Sequence, residues 1–157
     1  MKIMLSALVT LLLTAPAAAQ DVDSYIELLR SDIRTEKMEI ITDAMRFSDE
    51  EAADFWPVYR EYQHKLDQLG DEYLAILKDY ADNVNSLTAA KAKDLTEKTI
   101  QYKKDRLDVQ EKYFKRISKL ISPIKAARWA QLENQIGLLT ELQGISGIPL
   151  MEAPAAD

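Results

Sequence analysis

The densest run of carboxylate side chains in this chain is Asp49, Glu50, Glu51 and Asp54. Clustered carboxylates can hold a hard cation, but a calcium loop also needs a central glycine and ligands at alternating positions. Neither is present. The run follows Ser48 directly, where acidic side chains favour the positive end of a helix. His64 is the one histidine, and the chain has no cysteine. Zinc and copper sites want clustered imidazole or thiolate ligands, and Met38, Met45 and Met151 are too scattered for copper. No nucleophile stands beside a base in a recognised spacing, and no glycine-rich loop could cradle phosphate. The expectation is a protein that is not an enzyme, with no catalytic residues, no cofactor and no metal.

The remaining candidates are aromatic and polar. Trp56, Tyr59, Tyr62, Tyr73, Tyr80, Tyr102 and Tyr113 are candidates for a binding or dimer surface. A tyrosine suits a half-wet face because its ring buries while its hydroxyl finds water. For any one of these residues, ordinary packing inside the bundle is the more common role. Arg128, Gln131, Glu133 and Asn134 form a polar cluster, with Arg128 and Gln131 about one helical turn apart.

Elements must position these residues. Lys2, an apolar stretch from Ile3 to Leu13, and small residues up to Ala19 match a secretory signal peptide over residues 1–19. The apolar stretch is too short to span a bilayer, which needs about 20 residues. Loss of Lys2 with that leader takes the formal net charge from -6 to -7. So acidic a chain is an improbable partner for nucleic acid. The charge is uneven: Gln20 to Ser86 carries a net -10, and Leu87 to Asp157 a net +3. Two halves lying side by side would attract one another.

Glycine and proline are scarce between Gln20 and Thr140, which favours long helices. A first helix is expected over about Asp23 to Met45. A second starts at Ser48, whose hydroxyl with Glu51 makes a capping box. It carries Phe55, Tyr59, Tyr62, Leu66, Leu69, Tyr73, Ile76 and Tyr80 in steps of four and three, the spacing of helices that coil around a neighbour. Pro57 should kink it. After a turn at Asp82 to Ser86, a third helix runs from near Thr88 to Leu120. It has one stripe of Leu95, Tyr102, Val109 and Tyr113, and another of Ile100, Leu107, Phe114 and Ile121. Ser122 and Pro123 start a fourth helix, which Gly144 should close. The fold class is therefore all-α: a long antiparallel helical hairpin with two shorter flanking helices, bundle- or cradle-like. One helical domain spans residues 20–152, and residues 153–157 are expected to be a disordered tail.

Both short helices would attach at the end opposite the turn. The turn end would be less covered, and an apolar stripe left bare there is a binding or dimer surface. The two helix starts also match one another. Phe47-Ser48 leads to two alanines and Phe55; Ile121-Ser122 leads to two alanines and Trp129. Phe47, Ser48, Glu51, Ile121, Ser122 and Trp129 thus form a repeated structural joint.

An apolar residue before a hydroxyl cap, twice, flanking a long hairpin, distantly resembles the Spy and CpxP group of periplasmic proteins with their two Leu-Thr-x-x-Gln motifs. Here Glu51 and Lys125 stand where that motif has glutamine. The chain is more similar to secreted proteobacterial helical proteins with a Phe-Trp-Pro-x-Tyr-x-x-Tyr segment (Phe55 to Tyr62), an Ala-Arg-x-x-Gln-x-Glu-Asn segment (Ala127 to Asn134) and Ile148-Pro149-Leu150. The Spy-like resemblance implies an antiparallel dimer shaped as a cradle, with chaperone or stress-sensing roles. The expected function is an ATP-independent, chaperone-like or stress-response binding protein of the periplasm that holds envelope polypeptides. Its partners would be non-native envelope proteins or one envelope partner, as a homodimer, with no stable membrane insertion after signal cleavage. The alternatives are a regulatory accessory protein docking on a membrane sensor, and a metal-binding resistance protein.

Overall fold

A computed structural model describes residue 31, residues 33–145 and residues 150–151, with the side chains of 143–145 excepted. The proposed signal peptide, the start of the first helix and the tail from Ala153 lie outside the described residues. The chain divides into two compact units, Met1–Ile40 and Ile41–Asp157.

The described residues are helical and contain no strand. Residues 33–45 form α1. Its part in the first unit exposes Ile33, Met38 and Ile40. Its last turn, from Ile41, belongs to the second unit. There follow α2 (Asp49–Asn83), a 3-10 turn (Val84–Ser86), α3 (Ala89–Ile117) and α4 (Pro123–Ile145).

Local chemistry accounts for most of the boundaries. Ser48 has the extended backbone of an N-cap, and the box closes in both directions: Glu51 N–H donates to Ser48 Oγ at 3.2 Å, and Ser48 N–H donates to Glu51 Oε2 at 2.9 Å. Thr88 caps α3 by accepting from Lys91 N–H at 3.2 Å. Ser122 Oγ accepts from Lys125 N–H at 3.3 Å, with Pro123 at the first position of α4. α2 runs through Pro57 as one helix, so the missing N–H there does not break it.

Two boundaries differ from expectation. α3 stops at Ile117, short of Leu120, where Ser118 turns its hydroxyl back onto the Phe114 carbonyl at 2.7 Å. Such back-bonding competes with a further helical turn. α4 continues through Gly144 to Ile145, because that glycine does not take the left-handed conformation that ends a helix.

The long helices pair antiparallel. Glu61 meets Arg116, Tyr62 meets Tyr113, Tyr73 meets Tyr102, and Asp79 meets Lys91, so partners fall in number on α3 as they rise on α2. α4 lies against the first half of α2, at the end of the hairpin opposite the turn: Glu51 meets Lys125, Phe55 meets Trp129, and Tyr62 meets Glu133. The expected attraction between acidic and basic halves shows in three ion pairs, Glu51–Lys125, Glu61–Arg116 and Asp79–Lys91.

The core gathers at the end opposite the turn. Ile41, Phe55, Tyr59, Ile117 and Trp129 are each under 2 % exposed and lead a cluster that includes Met45, Tyr62, Tyr113, Ile121 and Ala126. Burying each of the larger apolar side chains contributes on the order of 1.5–3 kcal/mol. Toward the turn, only Tyr80 and Leu95 are buried. No helix among the described residues is long and apolar enough to cross a membrane.

Candidate functional site

The repeated joint forms one structure. Lys125, three residues past the second cap, reaches across to the first. Its ammonium pairs with the Glu51 carboxylate, donates to the Arg46 carbonyl at 3.3 Å, and lies 5.9 Å from the Phe47 ring centre. Arg46 holds a left-handed backbone with φ of 47°, and its N–H donates to the Thr42 carbonyl at 3.3 Å. That conformation ends α1. Non-glycine residues adopt it at a cost of about 1–2 kcal/mol. Arg128 adds a second tie, its Nε–H donating to the Ala44 carbonyl at 3.0 Å. The two positions at which the chain departs from the glutamine of the resembled motif, Glu51 and Lys125, are thus each other's partners. The hydrogen bond from Lys125, then that from the Ser48 backbone, holds the Glu51 carboxyl below its usual range.

Phe47 packs on Phe55 with ring centres 4.5 Å apart and meets Trp56 edge-on; Phe55 in turn meets Trp129 edge-on at 6.2 Å. Ile121 and Trp129 are buried beside it. The indole N–H of Trp129 finds no acceptor among the described residues.

Below this joint lies a buried carboxylate. Glu133 is 4 % exposed and accepts from the Tyr59 hydroxyl at 3.0 Å and from the Tyr62 hydroxyl at 3.3 Å. Burial first, and then the Glu133 charge, push both phenols well above their ordinary range. Tyr59 and Tyr62, three apart on α2, present their hydroxyls on one face. Neither spacing nor composition indicated that Glu133 would meet them, because the contact joins residues more than seventy positions apart.

The expected polar cluster therefore divides. Glu133 is interior, Arg128 belongs to the joint, and Gln131 and Asn134 are exposed. The aromatic candidates divide as well. Tyr59, Tyr62 and Tyr113 are buried in the core beside the joint, and Tyr80 is buried near the turn, where it lines a groove. α4 lies over the first two, and their hydroxyls are consumed by Glu133. Trp56 is half-buried against Phe47, Phe55 and Tyr59. Tyr73 and Tyr102 are half-buried and stacked on one another at 4.5 Å.

What lies open is aliphatic. Of the second stripe on α3, Phe114 and Ile121 are covered near the joint, but Ile100 is 48 % and Leu107 64 % exposed. Beside them runs a groove of about 450 Å³ along the turn half of the hairpin, formed by Tyr73, Ile76, Tyr80, Leu95, Thr99 and Ile100, with Leu150 and Met151 at its edge. Lys103 borders both this groove and a smaller cleft that contains Leu107. On α4, Leu138, Leu139 and Leu142 are also exposed. The seven-residue spacing of Ile100 and Leu107 carried this signal in the sequence, but it did not say which side α4 would leave bare.

His64 is exposed, with Gln68 Nε2 at 3.2 Å from its Nε2. No group of three or more metal-ligating side chains comes together among the described residues. No family model, no curated protein and no solved structure matches the chain.

Proposed function

We propose that this chain is a non-enzymatic binding protein of the bacterial envelope, exported by its leader, that holds exposed apolar segments of other polypeptides without ATP. The supporting observation is the open aliphatic flank of α3. Ile100 and Leu107 stay exposed on a helix whose other stripe is packed, beside the groove that α4 does not reach. Contiguous apolar surface left in water marks a site for a partner.

The division of labour in the fold supports the same reading. The joint and the Glu133 network fix one end of the hairpin with a dense aromatic core. The other end, with only Tyr80 and Leu95 buried, is free to accept a partner. Lys103 borders the groove. An apolar floor bordered by a cation can take unfolded segments of varied sequence.

The test is suppression of client aggregation by the purified mature chain. Suppression should appear at a few-fold excess and be lost in Ile100→Glu/Leu107→Glu with the helical fold retained. An absence of suppression at several-fold excess, or full suppression by the double variant, rejects the reading. Capture of a single firm partner, weakening with salt, would instead favour docking on a membrane sensor.

A further inference from the structure

A cleft of about 270 Å³ lies between α2, α3 and α4, apart from the groove, and its floor carries a cation with unusual surroundings. Arg106 is half-buried there. Its guanidinium lies against the backbone of α4 at Gly137: a Cβ placed on that glycine would sit 2.8 Å from Arg106 Nη2. Glycine in a helix interior is otherwise unfavourable. At this position it makes room for the guanidinium.

The other charged groups of the cleft are already engaged. Lys103 and Glu141 pair at 3.5 Å across its far end. The Glu133 carboxylate accepts from two tyrosine hydroxyls. Arg106 makes no ion pair among the described residues. A guanidinium carries five donors in a rigid fork and is suited to a two-oxygen acceptor. Around it the walls are mixed: the Tyr102 ring and the exposed side chains of Leu107 and Leu138 form an apolar strip, while Gln110, Glu133, Asn134 and Glu141 supply polar groups.

We propose that this cleft binds a carboxylate carried on a short apolar body, the carboxylate on Arg106 and the body against Leu107, Leu138 and Tyr102. A free aliphatic acid and the C-terminal residue of an apolar polypeptide share this chemistry. The cleft volume limits the ligand to a small group rather than a folded surface. The site shares Leu107 with the open flank but has Arg106 and Gly137 to itself, so variants at those two positions test it apart from the holding role.

The experiment is calorimetric titration of the mature protein with two acids, octanoate and N-acetyl-alanyl-leucine, and with two neutral controls, octanol and N-acetyl-alanyl-leucinamide. The acids should bind and the controls should bind at least tenfold more weakly. Octanoate alone assigns the free acid as ligand; the peptide acid alone assigns a chain terminus; both together assign the carboxylate whatever its source. Arg106→Gln should weaken the acids about ten- to hundredfold, the range for a charge-assisted hydrogen-bonded pair. Gly137→Ala should weaken them too while its thermal midpoint stays unchanged or rises, since alanine is the better helix residue. No binding of either acid at millimolar concentration, equal binding of a neutral control, or unaltered affinity in either folded variant overturns the proposal.

Discussion

Replacing Tyr59 by phenylalanine removes one hydroxyl and no apolar contact. In the native chain that hydroxyl donates to Glu133 at 3.0 Å in an interior where Glu133 is 4 % exposed. The substitution leaves a buried carboxylate with one donor fewer. A hydrogen bond to a charged group contributes about 1.5–3 kcal/mol, so Tyr59→Phe should destabilise by about that much. Tyr62→Phe should cost less, because its bond is longer at 3.3 Å. In a Glu133→Met background the sign of the argument changes. The carboxylate is gone, the Tyr59 hydroxyl is already buried without its acceptor, and removing it should cost close to nothing. The coupling between the two sites is then about 2 kcal/mol. Urea unfolding followed by tryptophan fluorescence and by far-ultraviolet circular dichroism reads all four proteins of the cycle. The denaturant slope should stay constant, so that midpoint shifts report stability alone. An equal cost of Tyr59→Phe in both backgrounds would refute the hydrogen-bonded carboxylate and, with it, the account of how α4 is fixed on α2.

The same pair sets the alkaline limit of stability. Both phenols have folded pKa values raised above the ordinary value of 10.0, so their contribution is complete below about pH 10 and is lost as pH rises beyond it. Each should lower stability by about 1.4 kcal/mol per pH unit there, and Tyr59→Phe/Tyr62→Phe should flatten the slope. At the acid end, the lowered pKa of Glu51 means that its contribution is present above the ordinary carboxylate range and lost as pH falls below about 4. Glu51→Gln should shift the thermal midpoint down at neutral pH and remove part of this acid sensitivity, and adding Lys125→Gln should restore some of the loss by removing the stranded ammonium. Arg46→Gly should raise stability by about 0.5–1 kcal/mol in urea unfolding, because glycine takes the left-handed conformation without the steric cost and the carbonyl that Lys125 uses is unchanged.

How far the sequence revealed this protein depends on the range of each interaction. The caps at Ser48, Thr88 and Ser122 were legible because a hydroxyl and the N–H three residues on are local partners. The seam from Phe55 to Tyr80 was legible because helical periodicity places it on one face, and the structure covers every one of its residues at least in part. The matching of the two joints was visible, and so was the charge difference between halves that the three ion pairs now join. The termination of α3 at Ile117 was not, since it depends on how Ser118 turns back on Phe114. That Tyr59, Tyr62 and Tyr113 lie inside, while Tyr73, Tyr80 and Tyr102 line the groove and the cleft, was hidden for a similar reason. Periodicity says which residues share a face, but only the seating of α4 decides which face is sealed. Tyr59 and Tyr62 lie beneath it, whereas Ile100 and Leu107 lie beyond its edge. Glu133 read as part of a polar cluster because its sequence neighbours are polar, yet its partners come from the far side of the hairpin.

Site-specific photo-crosslinking tests the holding role most directly. A benzoylphenylalanine replaces Ile100 or Leu107 on the open flank, and in control proteins it replaces Glu111 or Lys115, which are exposed and paired with one another on the same helix. Each protein is irradiated with an unfolded envelope polypeptide. Strong adducts at 100 and 107 with weak ones at 111 and 115 are the predicted result. Equal labelling at all four positions, or none at 100 and 107, would contradict the claim that the uncovered aliphatic flank of α3 is where this protein holds its partners.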